Sequence, residues 1–177
     1  MTQQYFSDTE WATLLQASKQ AILAVILADK TDSVSFLKET QAAVQILATE
    51  VYREDISSDL ARSVIASLKE GAAQEPLQGE QLLLKQQFEL LGTIQTFNNV
   101  ADGQKQTIAH LNQVATILAS KVTAIQAEEF KQWIIALATK VAQAFKEEGI
   151  FGIGGERISR SESGALSSIE KALNFKP

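Results

Sequence analysis

Apolar residues recur every three or four positions along most of the chain, which is the spacing that places side chains on one face of an α-helix. Ser7 and Glu10 have the spacing of a capping box, and the apolar stripe that follows them runs to Leu27 and widens almost to a full circle. We therefore predict a first helix that begins at Ser7, ends near Asp29 and forms the buried centre of the protein.

The same periodicity predicts five further long helices and a short C-terminal helix, because Gly and Pro are rare inside these stretches. Their expected extents are about 32–51, 57–71, 80–98, 103–123, 126–148 and 161–173. Ser161 is expected to cap the last helix. Side chains expected to face inward include Val34 and Leu37 in the second helix, Leu60 and Val64 in the third, Leu84 and Phe88 in the fourth, and Phe130, Trp133 and Phe145 in the sixth.

These elements predict an all-α fold: a single bundle of six main helices plus a short C-terminal helix, in one domain over residues 1–177. The triplet Ile46-Leu47-Ala48 recurs as Ile117-Leu118-Ala119, each followed by Val three residues on. Such triplets recur by chance in alanine-rich helices. They also fit a pseudo-twofold repeat of a three-helix unit, with halves at 8–71 and 80–148 followed by a turn and terminal helix at 149–177.

Composition excludes several kinds of chemistry. The chain has no Cys, so thiolate metal sites and thiol nucleophiles are excluded. Its one histidine, His110, follows Thr107 by three positions, which excludes a Glu-x-x-His di-iron site, and we expect it to be a partly exposed surface residue. Neither a P-loop nor a nucleophile elbow occurs. We identify no catalytic residues, so the composition favours a protein that is not an enzyme, and an enzyme that uses the 151–160 turn stays open as an alternative.

Charge and hydropathy limit the partners. A net charge of -5 argues against nucleic acid, because phosphate binding needs a basic surface. The longest apolar run, Ala21 to Ala28, is too short for a membrane span, and the N-terminus lacks the basic start of a secretory signal. We therefore expect a cytoplasmic protein that binds no membrane, and a protein partner or self-association.

The irregular segment 150–160 contains the first candidate site. Gly152-Ile153-Gly154-Gly155 lacks the third glycine of a dinucleotide fingerprint, since that position is Arg157. These glycines either turn the chain sharply while Phe151 closes the end of the bundle, or form a ligand or partner site. The candidate ligand-binding residues are Phe151, Gly152, Gly154, Gly155, Arg157 and Arg160.

A second candidate site consists of acidic residues at two predicted turns. Asp29 and Asp32 lie in the first, and Asp102 lies in a turn of the second half. Clustered carboxylates can hold a divalent cation, although helix caps and solvated turns also explain them. Beyond this possible metal, no cofactor is expected.

Two stretches carry a resemblance to known proteins. One is Glu10-Trp11 followed by residues 21–29. The other runs from Phe130 through the Phe151-Gly152-Ile153-Gly154-Gly155 turn to Glu162. Together they resemble an uncharacterised bacterial family of small all-helical proteins that has a Phe-Gly-x-Gly-Gly turn before the last helix.

The chain is more distantly similar to the TerB-like tellurite-resistance proteins, on Ala101-Asp102-Gly103 and on Ala28-Asp29, where Lys30 replaces a glycine. This resemblance implies divalent-metal binding and a role in stress response. We thus hold three hypotheses: a non-enzymatic interaction or structural protein, a TerB-like metal-binding protein, and a small-ligand binder or enzyme that uses the 151–160 turn.

Overall fold

The computed structural model describes residues 3–28, 33–147 and 159–175, and within these ranges it contains seven α-helices, one short 3-10 helix and no strand. The all-α prediction is confirmed. The helices are Asp8–Ile26 (α1), Ser33–Glu50 (α2), Asp59–Ala73 (α3), Glu80–Gln95 (α4), Val100–Lys121 (α5), Ala124–Glu147 (α6) and Arg160–Ala172 (α7). None of these helices combines the length and the apolar character needed to cross a membrane.

α1 forms the centre of the bundle, as predicted. It contacts α2, α3, α5, α6 and α7, and Leu14, Leu23 and Ile26 are fully buried on it. The predicted capping box begins the helix: the Glu10 backbone N–H donates to Ser7 Oγ at 3.2 Å, and the Ser7 N–H donates to Glu10 Oε2 at 2.7 Å. These two bonds satisfy backbone donors that a helix start otherwise leaves without partners.

The stripes predicted for α3 and α6 are also confirmed. Leu60 and Val64 on α3, and Phe130, Trp133 and Phe145 on α6, are all buried. Both helices pack within the bundle, so each side chain on the apolar stripe meets a neighbouring helix.

The predictions for α2 and α4 were partly wrong. Val34, Leu37, Leu84 and Phe88 are exposed, whereas Leu90 is the one buried residue of α4. α4 packs mainly against α2, so a single helix covers only a narrow part of its apolar surface. The two helices are antiparallel, since Gln87 of α4 bonds Leu37 and Thr40 near the start of α2, and α4 begins beside residues 45–52 at its end.

The cap predicted for the last helix was wrong by two residues. Ser159, not Ser161, is the N-cap of α7: its Oγ accepts from the Glu162 N–H at 3.1 Å, while the Ser159 N–H donates to Glu162 Oε2 at 2.8 Å. Glu162 is buried, and its carboxylate folds back onto the start of the helix. The Ser-x-x-Glu spacing favours Ser159, since a capping box needs the acid three residues after the cap.

Candidate functional site

Most of the predicted ligand-binding residues lie outside the described part of the chain. This applies to Phe151, Gly152, Gly154, Gly155 and Arg157. Arg160 is described: it is the first residue of α7 and is exposed to solvent. The site at the glycine-rich turn therefore stays a prediction.

Of the three predicted metal ligands, Asp29 and Asp32 also lie outside the described residues, and Asp102 lies in the first turn of α5. Its carboxylate Oδ2 accepts hydrogen bonds from the Asn98 N–H at 3.0 Å, from Asn98 Nδ2 at 3.1 Å and from Gln106 Nε2 at 2.9 Å. The Asn98 backbone bond, aided by Gln106, lowers the pKa of Asp102 below its ordinary value. Asp102 thus fastens the start of a helix, and no group of three His, Asp or Glu residues suited to a metal occurs within the described ranges.

The neighbouring glycine of the Ala101-Asp102-Gly103 motif also has a packing role. A Cβ atom at Gly103 would lie 2.6 Å from Phe97 Cδ2 and 2.8 Å from Leu27 Cδ1. The next residue, Gln104, donates from Nε2 to the Leu27 carbonyl at 2.9 Å, at the C-terminal end of α1. Close approach between α1 and α5 therefore explains the glycine without any ligand.

His110 lies between α5 and α1. Its Nε2 is 2.9 Å from the Thr13 carbonyl oxygen, and the side chain is half-buried. The predicted partial exposure is confirmed. The contact fastens α5 to α1, and because a carbonyl oxygen only accepts, Nε2 is the donor in it.

A buried carboxylate that we did not predict joins α2 to α6. Glu50, at the end of α2, is only 2% exposed. Its Oε1 accepts from Trp133 Nε1 and from the Arg53 guanidinium, both at 2.8 Å, and its Oε2 accepts from Lys140 Nζ at 3.2 Å. Trp133 and Lys140 are seven residues apart, which puts them on the same face of α6.

The charges of this cluster cancel. Asp55 accepts from Arg53 Nε at 2.8 Å and from Arg53 Nη2 at 3.0 Å. The carboxylates of Glu50 and Asp55 thus balance the cations of Arg53 and Lys140. These bonds raise the pKa of Arg53 and lower that of Asp55. Although a cleft of about 400 Å³ borders Glu50, Arg53 and Lys140, their mutual pairing indicates a clamp between helices rather than an acid–base site.

A cleft with a volume of about 600 Å³ lies between α2, α3 and α4. Apolar side chains such as Leu47, Leu68 and Leu82 line it, together with glutamines. An adjoining chamber of about 220 Å³ shares Leu47, Leu68 and Gln86 with it and extends to Ile22 on α1. The clefts form because α4 is held mainly by α2 and does not close against α3.

On the solvent side of the same helix pair lies an apolar surface, which we call the α2–α4 face. It consists of four exposed side chains: Val34 (64% exposed), Leu37 (48%), Leu84 (54%) and Phe88 (65%). The hydrogen bond of 3.1 Å from Gln87 Nε2 to the Leu37 carbonyl holds the two helices side by side there.

The sequence of α4 contains one pattern that indicates both the cleft and the α2–α4 face. α4 carries three consecutive leucines, Leu82 to Leu84, and then Phe88, Leu90 and Leu91. These apolar residues surround the helix more widely than one core-facing stripe requires. α2 covers only part of this apolar surface. The uncovered part lines the cleft on one side of α4 and forms the α2–α4 face on the other.

Comparisons of the chain with protein-family models, with curated protein sequences and with solved structures find no match. The resemblances to the small helical bacterial family and to the TerB-like proteins therefore rest on the quoted segments alone and stay predictions.

Proposed function

We propose that this protein is a non-enzymatic interaction protein that self-associates through the α2–α4 face. The observation that carries the proposal is the exposure of Leu84 and Phe88, one turn apart on α4, beside Leu37 of α2. Large apolar side chains that are contiguous at the surface are typical of interaction sites, because burying them against a partner removes them from water.

The charge of the surface favours a second copy of the chain as the partner. Of the positions that continue the apolar rows, Gln41 on α2 and Gln81 and Gln95 on α4 are exposed and uncharged, and Lys38 and Glu80 carry one charge of each sign. Two copies with net charge -5 each repel one another in most orientations, and a face without net charge reduces that repulsion. A twofold dimer also brings identical patches together, so apolar residues meet apolar residues.

Sedimentation velocity of the purified chain between about 5 and 200 µM tests the proposal, a range that brackets the weak-to-moderate affinities of small interfaces. We expect a concentration-dependent dimer. Phe88→Glu and Leu84→Glu should each produce a monomer, because each places a carboxylate in the apolar interface, where it would lose its hydration without a partner. The matched control is Ile125→Glu, which alters another exposed apolar residue, 73% exposed, at the start of α6.

The dependence of the dimer on salt concentration distinguishes apolar association from ionic association. Raising NaCl from about 0.1 to 0.5 M should leave the dimer intact or strengthen it, because salt screens the repulsion between acidic chains. A monomer at every concentration would refute self-association. A dimer that Ile125→Glu abolishes and Phe88→Glu spares would refute this face as the interface.

A further inference from the structure

We propose that the cleft between α2, α3 and α4 binds one uncharged, mainly apolar small molecule that carries a hydrogen-bonding group such as a hydroxyl or a carbonyl. Its volume of about 600 Å³ lies in the range of small-molecule sites, which in helical proteins often form between helices. The site is separate from the α2–α4 face, since neither Leu37 nor Phe88 lines it.

The lining determines the chemical class of the ligand. Every residue that lines the cleft is uncharged, and its hydrogen-bonding side chains are Gln45, Thr49, Tyr52, Gln78 and Gln86. An amide both donates and accepts, so it can pair with a hydroxyl or a carbonyl. A charged group in the same place would lose its hydration without meeting an opposite charge, which is costly.

Two lysines near the cleft already have partners. Lys85 lies in a small adjoining pocket and donates to Glu75 Oε2 at 2.5 Å. This bond raises the pKa of Lys85. Lys69 Nζ lies 5.0 Å from the centre of the Tyr52 ring, over its face. Neither ammonium group is therefore an unpaired counter-ion for an anionic ligand.

The adjoining chamber extends the site for an apolar tail. It is bounded by Ile22 and Ala43, both buried, and by Leu90, the buried residue of α4. Lys19 and Glu89 also line it, one charge of each sign. A molecule whose apolar part occupies this chamber and whose polar group lies among the glutamines would use both volumes.

Two dyes that differ by one charge test this inference. N-phenyl-1-naphthylamine is uncharged, and 8-anilino-1-naphthalenesulfonate is the same ring system with a sulfonate; both become fluorescent in apolar sites. Titrated into the full chain, the uncharged dye should bind at one site per chain, at least tenfold more tightly than the sulfonate. Dodecanol should displace it, and dodecanoate should not do so at the same concentration.

Variants locate the site. Ala48→Phe and Ala72→Phe place a ring in the cleft, since both alanines line it, and each should weaken binding of the uncharged dye at least tenfold. Ala119→Phe is the matched control, because Ala119 is exposed on α5 and outside the cleft. Circular dichroism shows which variants retain the fold, and one folded cleft variant is sufficient. Phe88→Glu should bind the dye like the parent chain, which separates this test from that of self-association.

Three results would overturn the inference. The first is equal affinity for the two dyes. Such a result would mean that the dyes bind to ordinary exposed apolar surface, which does not select against the sulfonate. The second is undiminished binding to a folded Ala48→Phe or Ala72→Phe variant. The third is no saturable binding of the uncharged dye.

Discussion

The indole Nε1 of Trp133 donates a hydrogen bond of 2.8 Å to the carboxylate of Glu50, inside the bundle between α6 and the end of α2. The same carboxylate meets Arg53 and Lys140. A buried carboxylate is stable only where such donors replace the water it has lost. The cluster therefore makes the position of α2 depend on α6.

We expect Glu50→Ala to lower the free energy of unfolding by about 2–3 kcal/mol, because it leaves the buried indole N–H without an acceptor, removes the carboxylate that pairs with Lys140, and leaves Arg53 with Asp55 alone. Glu50→Gln should cost less, since its amide oxygen still accepts from Trp133. Urea denaturation measures both. Glu54→Gln, an exposed neighbour, is the control and should change stability by less than about 0.5 kcal/mol. Equal stabilities for Glu50→Ala and the parent chain would show that the clamp contributes nothing.

The contact of α1 with α5 at Gly103 gives a second prediction. Gly103→Ala should destabilise the protein by about 1–3 kcal/mol, because the added methyl group overlaps Phe97 and Leu27. Gly92→Ala, in the interior of α4, has nothing within 4 Å of the new Cβ and should stabilise by about 0.5–1 kcal/mol. Thermal and urea unfolding distinguish the two signs.

Leu27→Ala supplies the internal check for this second prediction. Combined with Gly103→Ala, it should cost less than the sum of the two single changes, since the space that it frees receives the new methyl group. Strict additivity would mean that the two residues do not compete for the same volume.

Local signals in the sequence predicted the helices well. The Ser7 cap, the α3 stripe and the α6 stripe depend on residues within a few turns of one another, and all are confirmed. The inward direction predicted for Leu84 and Phe88 was wrong, because helical spacing identifies an apolar face but not the neighbour that covers it.

The long-range features could not be read from spacing. Glu50 and Trp133 are far apart in sequence, and one buried acid among many exposed ones has no local signature. The cleft depends on how α4 lies on α2, which periodicity does not determine. Asp102 was expected in a turn before the fifth helix, but it lies in the first turn of that helix, and its hydrogen bonds are those of a helix start.

The capping box of α7 gives a third prediction. Ser159→Ala should lower the free energy of unfolding by about 1 kcal/mol, because the Glu162 N–H loses its acceptor. Ser161→Ala, two residues further on, is the matched control and should change stability by less than about 0.5 kcal/mol, since Ser161 lies within the helix. A larger loss for Ser161→Ala than for Ser159→Ala would place the helix start at the other serine.

The hydrogen bonds to Asp102 give a fourth prediction, on pH dependence. Because the Asn98 backbone and Gln106 lower the pKa of Asp102 below its ordinary value of 3.8, the ionised carboxylate stabilises the folded chain. This stabilisation is fully present above pH 3.8 and is lost as the pH falls through the lower pKa of the folded state. Asp102→Asn removes it at neutral pH, and the variant and the parent chain should converge in stability toward pH 2.

Urea unfolding at a series of pH values measures this convergence, and carbon-detected NMR titration gives the pKa of Asp102 directly. Gln106→Ala is the matched variant: it removes one donor to the carboxylate and keeps the charge, so it should raise the pKa of Asp102 toward its ordinary value. The attraction between a carboxylate and the start of a helix remains in that variant, so the shift should be partial. A stability difference between Asp102→Asn and the parent chain that stays constant down to pH 2 would show that these bonds do not favour the ionised form.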